Sequence, residues 1–412
     1  MEPFFRPIAS LLLVLLLGFG NLLSAQSLPQ NHTAKFNLDL NSLWNYNQYE
    51  GSRWGLGFSS SIPRPKDASK PILEQRKFLF AANGGYGVTD HGWKFNGFVG
   101  YHKPRGFISS LWIGYAHELA QAGRHSFDTY NILGTMSNSN YLTSWYSKVD
   151  WFNLSMSTDS RNFHTTVSWS HSREHKLFSP EGLLYPNVFP EHADNPHYTA
   201  YDFNELGIDI TYKRYWRFSV VGGGYHQAFG EDDSKHFTFR TFAQYDRTFK
   251  PNKAGSIRLF GQAGWSRLNG PLTRQFNLGG TAYSGYYFNN SFLTVFPNQF
   301  YANTFAIASI KYSSPYFWKT KYSSPRFMAQ INAMIGSNGG QETAVVEGFT
   351  LRAPSKGLVE PMAGIDRLVR WGAFDLGFAM AYQITPESAS YRRPQFIDRC
   401  ALLGVATLIF DE

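Results

Sequence analysis

Two groups of residues in this 412-residue chain have the types and spacing for chemistry. In "TDHGW", Asp90 and His91 stand side by side. An imidazole oriented by a carboxylate can act as a general base when a nucleophile or a held water comes within reach. The second group is His171, His175, His192 and His197 with Glu174, Glu191 and Asp194. Imidazoles mixed with carboxylates suit a divalent metal. Each group has a plainer explanation. Adjacent strand residues point to opposite faces, so Asp90 and His91 part unless a turn redirects one, and Asp and Gly favour such turns. The histidine spacing matches no zinc pattern. No catalytic residue, cofactor or metal is therefore assigned.

The elements that would position such groups are strands. Helical periodicity is nearly absent, and period-2 alternation recurs. In "NELGIDITYKR", Leu206, Ile208, Ile210 and Tyr212 lie opposite Glu205, Asp209, Thr211 and Lys213. In "KHFTFRTFAQYDRTFK", Phe237, Phe239, Ala243 and Tyr245 lie opposite Thr238, Arg240, Gln244 and Asp246. "SIRLFGQAGW" and "FDLGFAMAY" alternate in the same way. The chain holds 36 Phe, 24 Tyr and 11 Trp, yet its mean hydropathy is only -0.32. Strands with one face toward lipid and one toward a polar lumen combine many aromatics with low mean hydropathy.

The N-terminal "MEPFFRPIASLLLVLLLGFGNLLSAQS" has a basic Arg6, an apolar run from Ile8 to Leu17 and the small pair Ser24-Ala25. This is the pattern of a secretory signal peptide over residues 1–25, its apolar run being well short of the ~20 residues a spanning helix needs. A single domain over 26–412 is expected to follow. The lone Cys400 excludes a disulfide framework. The net charge of +8 comes from scattered residues, much of it in "KPRG" (103–106), "KRYWR" (213–217) and "KPNK" (250–253). Nucleic acid is not expected as a partner.

Strands are predicted near 34–44, 52–60, 77–88, 93–102, 107–118, 149–158, 162–171, 201–212, 217–226, 236–249, 256–265, 300–313, 326–336, 358–368, 373–383 and 399–410. The gaps between them mostly alternate long (119–148, 172–200, 266–299, 337–357, 384–398) and short (103–106, 159–161, 213–216, 250–255, 369–372). Outer-membrane barrels have long extracellular loops and short periplasmic turns. The long gaps at 61–76 and 314–325 break this rhythm. The expected fold is an all-β, transmembrane antiparallel β-barrel of about sixteen strands, closed because lipid offers no partner to an open edge. Within 119–148 a short helix could fold over the lumen. A rival expectation is a protease or phospholipase at the extracellular rim, using Asp90, His91 and the loop histidines.

The stretch "RQFNLGGTAYSGYYFNN" (274–290) fails as a phosphate loop, since it lacks the following Lys and opens no helix. It resembles the inward-folded loop of the surface-antigen barrels, the superfamily of the BamA and TamA assembly proteins. There, "LGG" precedes "RGF" or "RGY" ahead of the last five strands. Here Gly279 and Gly280 close "FNLGG", and Ser284, Gly285 and Tyr286 form "SGY". In the superfamily the Arg pairs with an acidic group on the barrel's inner wall, and here its slot holds Ser284. The expectation is an inward loop without a charged tether, held by Tyr283, Tyr286 and Tyr287 against Arg258, Gln262 or Asp375. An arginine at the lumen-facing Glu205 should then be tolerated.

A broader resemblance covers most of the mature chain. "NYNQYEG" (45–51), "GGYGVTDHGWKF" (84–95), "FLTVFPNQFYANTFAIASIKY" (292–312), "RFMAQINAMIGS" (326–337) and "KGLVEPMAGIDRLVR" (356–370) are similar, in order, to the C-terminal barrel of a Bacteroidota outer-membrane family of unknown function. Longer members of that family carry a carboxypeptidase-regulatory-like domain before the barrel. The resemblance implies outer-membrane location and barrel architecture and supplies no reaction; the expected role is that of a structural, transport or assembly-related barrel, not an enzyme. The expected partners of such a barrel are outer-membrane lipid and lipopolysaccharide, with the barrel-assembly machinery during biogenesis.

Overall fold

The computed structural model describes residues 35–39, 43–47, 51–61, 77–102 apart from 89, 108–121, 146–178, 200–228, 235–278 apart from 252–253 and 269, 292, 294–295, 300–384 apart from 321, 342, 347–348 and 372–373, and 400–408. The signal peptide at 1–25, most of the 119–148 loop with its short helix, and nearly all of 61–76 lie outside the described residues.

Strands β1 (Lys35–Asp39) and β2 (Trp44–Asn47) lie along β3 (Gly51–Ser61). Then β4 (Lys77–Gly87), β5 (Trp93–His102), β6 (Ser110–Gln121), β7 (Tyr146–Asp159) and β8 (Phe163–Phe178) each pair antiparallel with the strand before. So do β9 (Tyr201–Tyr212), β10 (Trp216–Gln227), β11 (His236–Phe249) and β12 (Ser256–Ser266). The two-residue β13 (Phe276–Asn277) and β14 (Tyr301–Ala302) pair with each other. The sheet resumes with β15 (Thr304–Ser313) and β16 (Arg326–Ser337), and β17 (Thr343–Val346) and β18 (Phe349–Arg352) form a separate hairpin. It continues through β19 (Leu358–Trp371) and β20 (Phe374–Tyr382) to β21 (Cys400–Leu408).

Seventeen segments thus make one antiparallel sheet. Because β1 and β2 share one place beside β3, they fill sixteen places, as the alternation predicts. Among the described residues no ladder joins β21 to β1 or β2, and closure stands as an expectation. Most short connections gather at one end, the turn end, and most long ones at the other, the loop end; 62–76 and 314–325 are long connections at the turn end, and 88–92 is a short one at the loop end.

Alternation sets the two faces. On β9, Leu206 and Ile208 are 62% and 46% exposed while Glu205 is buried. Phe218 and Val220 of β10 and Ile310 of β15 are exposed, while Ser219, Val221 and Ser309 are buried. A ring of outward aromatics marks the turn end, with Phe163 against Tyr212 at 4.8 Å and Trp216 against Tyr245 at 4.6 Å. Trp54, Trp93, Phe237 and Trp265 stand exposed near the loop end. An apolar band between aromatic girdles is the surface a bilayer imposes on a barrel.

Two departures from the sequence reading have physical reasons. β8 runs to Phe178 and β7 starts at Tyr146, because beyond the apolar band the outward positions turn polar and the hydrophobic signal fades while the ladder continues. The 314–325 connection is a braced hairpin. Phe317 N–H donates to Pro325 O at 2.9 Å, Thr320 N–H to Ser323 O at 2.8 Å and Ser324 N–H to Arg367 O at 3.1 Å. Arg367 sits at φ 57° beside an irregularity in β19 and donates to the Tyr316 hydroxyl at 2.9 Å. The extra length is what reaches that neighbouring strand.

Candidate functional site: a loop anchored inside the barrel

Residues 267–303 join β12 to β15 at the loop end, and the described ones (267–278 apart from 269, then 292, 294–295 and 300–303) turn back inside the sheet. The chain first tightens at Pro271, where a single 3-10 turn (Leu272–Arg274) forms and Arg274 N–H donates to Pro271 O at 2.8 Å. The β13–β14 neck follows, extended by Leu278 N–H to Phe300 O at 2.8 Å. Asn338 and Asn303 brace this neck. Asn303 N–H donates to Asn338 Oδ1 at 3.1 Å, and Asn338 Nδ2 donates to Tyr301 O at 3.1 Å.

Phe276, Leu278, Phe292, Val295 and Phe300 of the loop are buried against Phe242, Phe260, Phe305, Ile307, Met334 and Leu358 of the wall. The main hydrophobic core therefore sits in the lumen. Two wall glycines leave space for it. A Cβ at Gly264 would lie 2.4 Å from Phe305 Cε1 and 3.0 Å from Phe276 Cζ, and one at Gly336 would lie 3.0 Å from Leu278 Cδ1.

Arg274 anchors the loop to the far wall. Its Nε and Nη2 donate to the two carboxylate oxygens of Glu205 at 3.0 and 2.9 Å, and its Nη1 donates to Glu174 Oε1 at 2.6 Å. The guanidinium lies 3.7 Å over the ring of Phe203, which stacks in turn on Tyr225. Burial works against the charge of Arg274, but the carboxylates of Glu174 and Glu205 outweigh it and hold its pKa above the ordinary value. A second anchor lies on β19, where the N–H and hydroxyl of Thr294 donate to Glu360 Oε2 at 2.7 and 2.6 Å. Asn332 Nδ2 holds the other oxygen of Glu360 at 3.3 Å. Five strands (β10, β11, β12, β15 and β16) separate β9 from β19, so the loop is tied to well-separated arcs of the wall.

This overturns the expectation of a loop without a charged tether. The tether exists, but Arg274 supplies it from ahead of the "LGG". Two of the expected wall partners are engaged elsewhere, Arg258 with Asp246 and, at 3.5 Å, Gln262 with Gln244, while the side chain of the third, Asp375, is not among those described. Gly279, Gly280, Ser284, Gly285 and Tyr286, together with Tyr283 and Tyr287, lie outside the described residues. Glu205 is no permissive lumen position either, since an arginine there would face Arg274. Sequence reasoning missed Arg274, Phe242 and Phe260. The available signal was an apolar residue at lumen parity, where Phe242 and Phe260 break the alternation of their strands.

Among the described residues the groups singled out for chemistry are not assembled. At the β4–β5 turn Asp90 pairs with the buried Lys94, while His91, at φ 48°, lies 3.4 Å from the hydroxyl of Tyr86. Glu174 points inward to Arg274, whereas His171 and His175 point outward, to Asn204 at 3.2 Å and Asp150 at 2.9 Å. His192, His197, Glu191 and Asp194 lie outside the described residues. Among the described residues no group of three or more His, Cys, Asp or Glu could hold a metal ion.

No family model and no curated protein matches the chain. Among solved structures it is similar to CdiB from Acinetobacter baumannii, at 12% identity over 88% of this chain and 58% of that one, with a TM-score of 0.42. It is similar to CdiB from Escherichia coli at 14% identity over 93% and 64%, with a TM-score of 0.45. BamA from Haemophilus ducreyi lacking POTRA domains 1–3 is similar at 13% identity over 92% and 71%, with a TM-score of 0.48. The chain spans about three fifths of the length of the two CdiB chains. With its single antiparallel sheet, outward apolar band and two girdles, the chain is an outer-membrane β-barrel.

Proposed function

We propose that this barrel has a transport or membrane-assembly role, without a reaction of its own, and that the 267–303 loop controls access through its lumen. The observation that carries the reading is the double anchorage of the loop, with Arg274 on β8 and β9 and Thr294 on β19. Its buried charges and apolar side chains are engaged in holding a segment inside the barrel. The order of the five motifs quoted above supports the finer assignment to the Bacteroidota barrel family. Outer-membrane lipid and lipopolysaccharide, with the barrel-assembly machinery during biogenesis, are the partners this reading implies.

Conductance across planar bilayers tests it. The natural protein should pass little current, and Arg274→Leu should open channels at least several-fold more conducting. Equal currents from both would mean that the loop does not seal the lumen.

A further inference from the structure

The 314–325 hairpin stands at the turn end, the periplasmic side of an outer-membrane barrel, where connections are ordinarily short. Its extra length builds a braced platform. The two arms continue the β15–β16 ladder. Ser314 N–H donates to Phe327 O at 2.9 Å, and Phe327 N–H donates to Ser314 Oγ at 2.9 Å. At the tip, Thr320 Oγ1 accepts from the N–H of Tyr322 at 3.3 Å and from that of Ser323 at 3.0 Å. Ser323 Oγ accepts from Trp318 Nε1 at 3.2 Å and donates to Leu368 O at 2.7 Å.

On this frame Phe317, Trp318 and Tyr322 are 56%, 53% and 67% exposed, and Leu368 is exposed as well. Clustered apolar exposure of this kind marks an interaction site. A surface already held in shape loses little freedom when it is covered. The bilayer does not account for these side chains. Tyr312 is the last outward ring of β15, and Trp318 lies six positions beyond it. At about 3.3 Å per residue and a tilt of about 40°, the tip reaches about 10–15 Å past that ring. The headgroup layer on each side of a bilayer is only about 5–8 Å deep. The tip stands clear of it.

The charge of the platform is one-sided. Residues 314–325 hold Lys319 and Lys321 and no acid, and the neighbouring 367–371 adds Arg367 and Arg370 without one. The adjoining Asp366 is already held by Arg326 at 2.7 and 3.1 Å. Lys319 is exposed and lies 4.8 Å from the centre of the Tyr316 ring, a contact that attracts a cation without neutralising it. We propose that this hairpin is the docking site for an acidic segment of a periplasmic protein, bound by the finished barrel. Phe317, Trp318 and Tyr322 cover apolar side chains of that segment, aromatic anchors being the commonest source of binding energy at such contacts. Lys319 and its cationic neighbours select for carboxylates. A second copy of this chain, itself at +8, is a poor match by charge.

The test uses the full-length barrel in mild detergent and fluorescence anisotropy with three labelled peptides, in which Leu alternates with Glu, Gln or Lys. The Glu–Leu peptide should bind about tenfold tighter than the other two, the difference made by one or two charge-assisted contacts. Phe317→Ala with Trp318→Ala should remove that binding. Lys319→Glu should weaken it about tenfold, with heat-modifiable migration unchanged in every variant. Arg161→Glu makes the same charge change at the turn end of β7 and β8, with four strands between β8 and β15. It should shift binding by less than about twofold, since charges more than about 10 Å apart are screened at 0.1 M salt. Equal losses from Lys319→Glu and Arg161→Glu would reduce the effect to net charge and overturn the proposal. So would equal binding of the Gln–Leu peptide, or binding that survives the loss of both aromatics. Loss of the peptide once the barrel is moved into lipid nanodiscs would give the aromatics to the membrane surface instead. Dimerisation of the barrel abolished by Trp318→Ala, read by native mass spectrometry, would give them to a second copy.

Discussion

At the scale of single residues, Arg274 decides the most. A buried ion pair loses much of its attraction to desolvation, whereas removing one partner leaves uncompensated charge and costs about 3–5 kcal/mol. Arg274→Leu leaves Glu174 and Glu205 facing each other across the gap and should lower the urea midpoint of the refolded barrel accordingly. Arg274→Lys keeps the charge but not the fork, and should recover only part of the loss. A midpoint unmoved by either change would remove Arg274 from its anchoring role. On the outer face, Ile208→Arg near mid-membrane should cost about 2–4 kcal/mol. Gln244→Arg, in the lumen beside Asp246, should cost far less in the same assay. Equal losses would mean that the inside and outside faces are reversed.

At the scale of elements, the inward loop depends on wall positions that carry no side chain. Each buried apolar side chain of the loop contributes about 1.5–3 kcal/mol, opposed by an ordering cost of about 1–2 kcal/mol per residue. The balance is close enough for a clash to tip it. Gly264→Val would drive a branched side chain into Phe276 and Phe305, with an overpacking cost of about 1–3 kcal/mol. The neck should then be displaced. A cysteine at Ser284, in a Cys400→Ala background, should label slowly with a bulky impermeant maleimide in intact cells, and faster once Gly264→Val is added. Labelling already as fast as at a control site in 179–199 would mean that this stretch is an ordinary surface loop.

At the scale of the whole molecule, closure is the issue. An open sheet edge leaves backbone groups without partners in lipid, so the first and last places must pair. Closed barrels resist detergent until heated. Unboiled protein should therefore migrate differently from boiled protein on SDS gels and fractionate with the outer membrane. Recovery from the soluble periplasm would sink the barrel.

The sequence by itself determined the sheet. Period-2 alternation is local, each residue reporting its own face, so Leu206, Ile208 and Glu205 were assigned correctly from neighbours alone, and the rhythm of long and short gaps ordered sixteen places. Polar outward residues blurred only the strand ends, as at 172–178. What alternation could not report is which inward residue meets which. Arg274 reads in sequence as one more basic residue in a turn, and Glu174 as a possible metal ligand. Only the curvature of the sheet brings β8 and β9 within reach of a loop that leaves from β12, at sequence separations of 100 and 69 residues. The platform at 314–325 is likewise visible only in the fold, because the brace that holds its aromatics exposed comes from Arg367 and Leu368, at sequence separations of 51 and 45 residues.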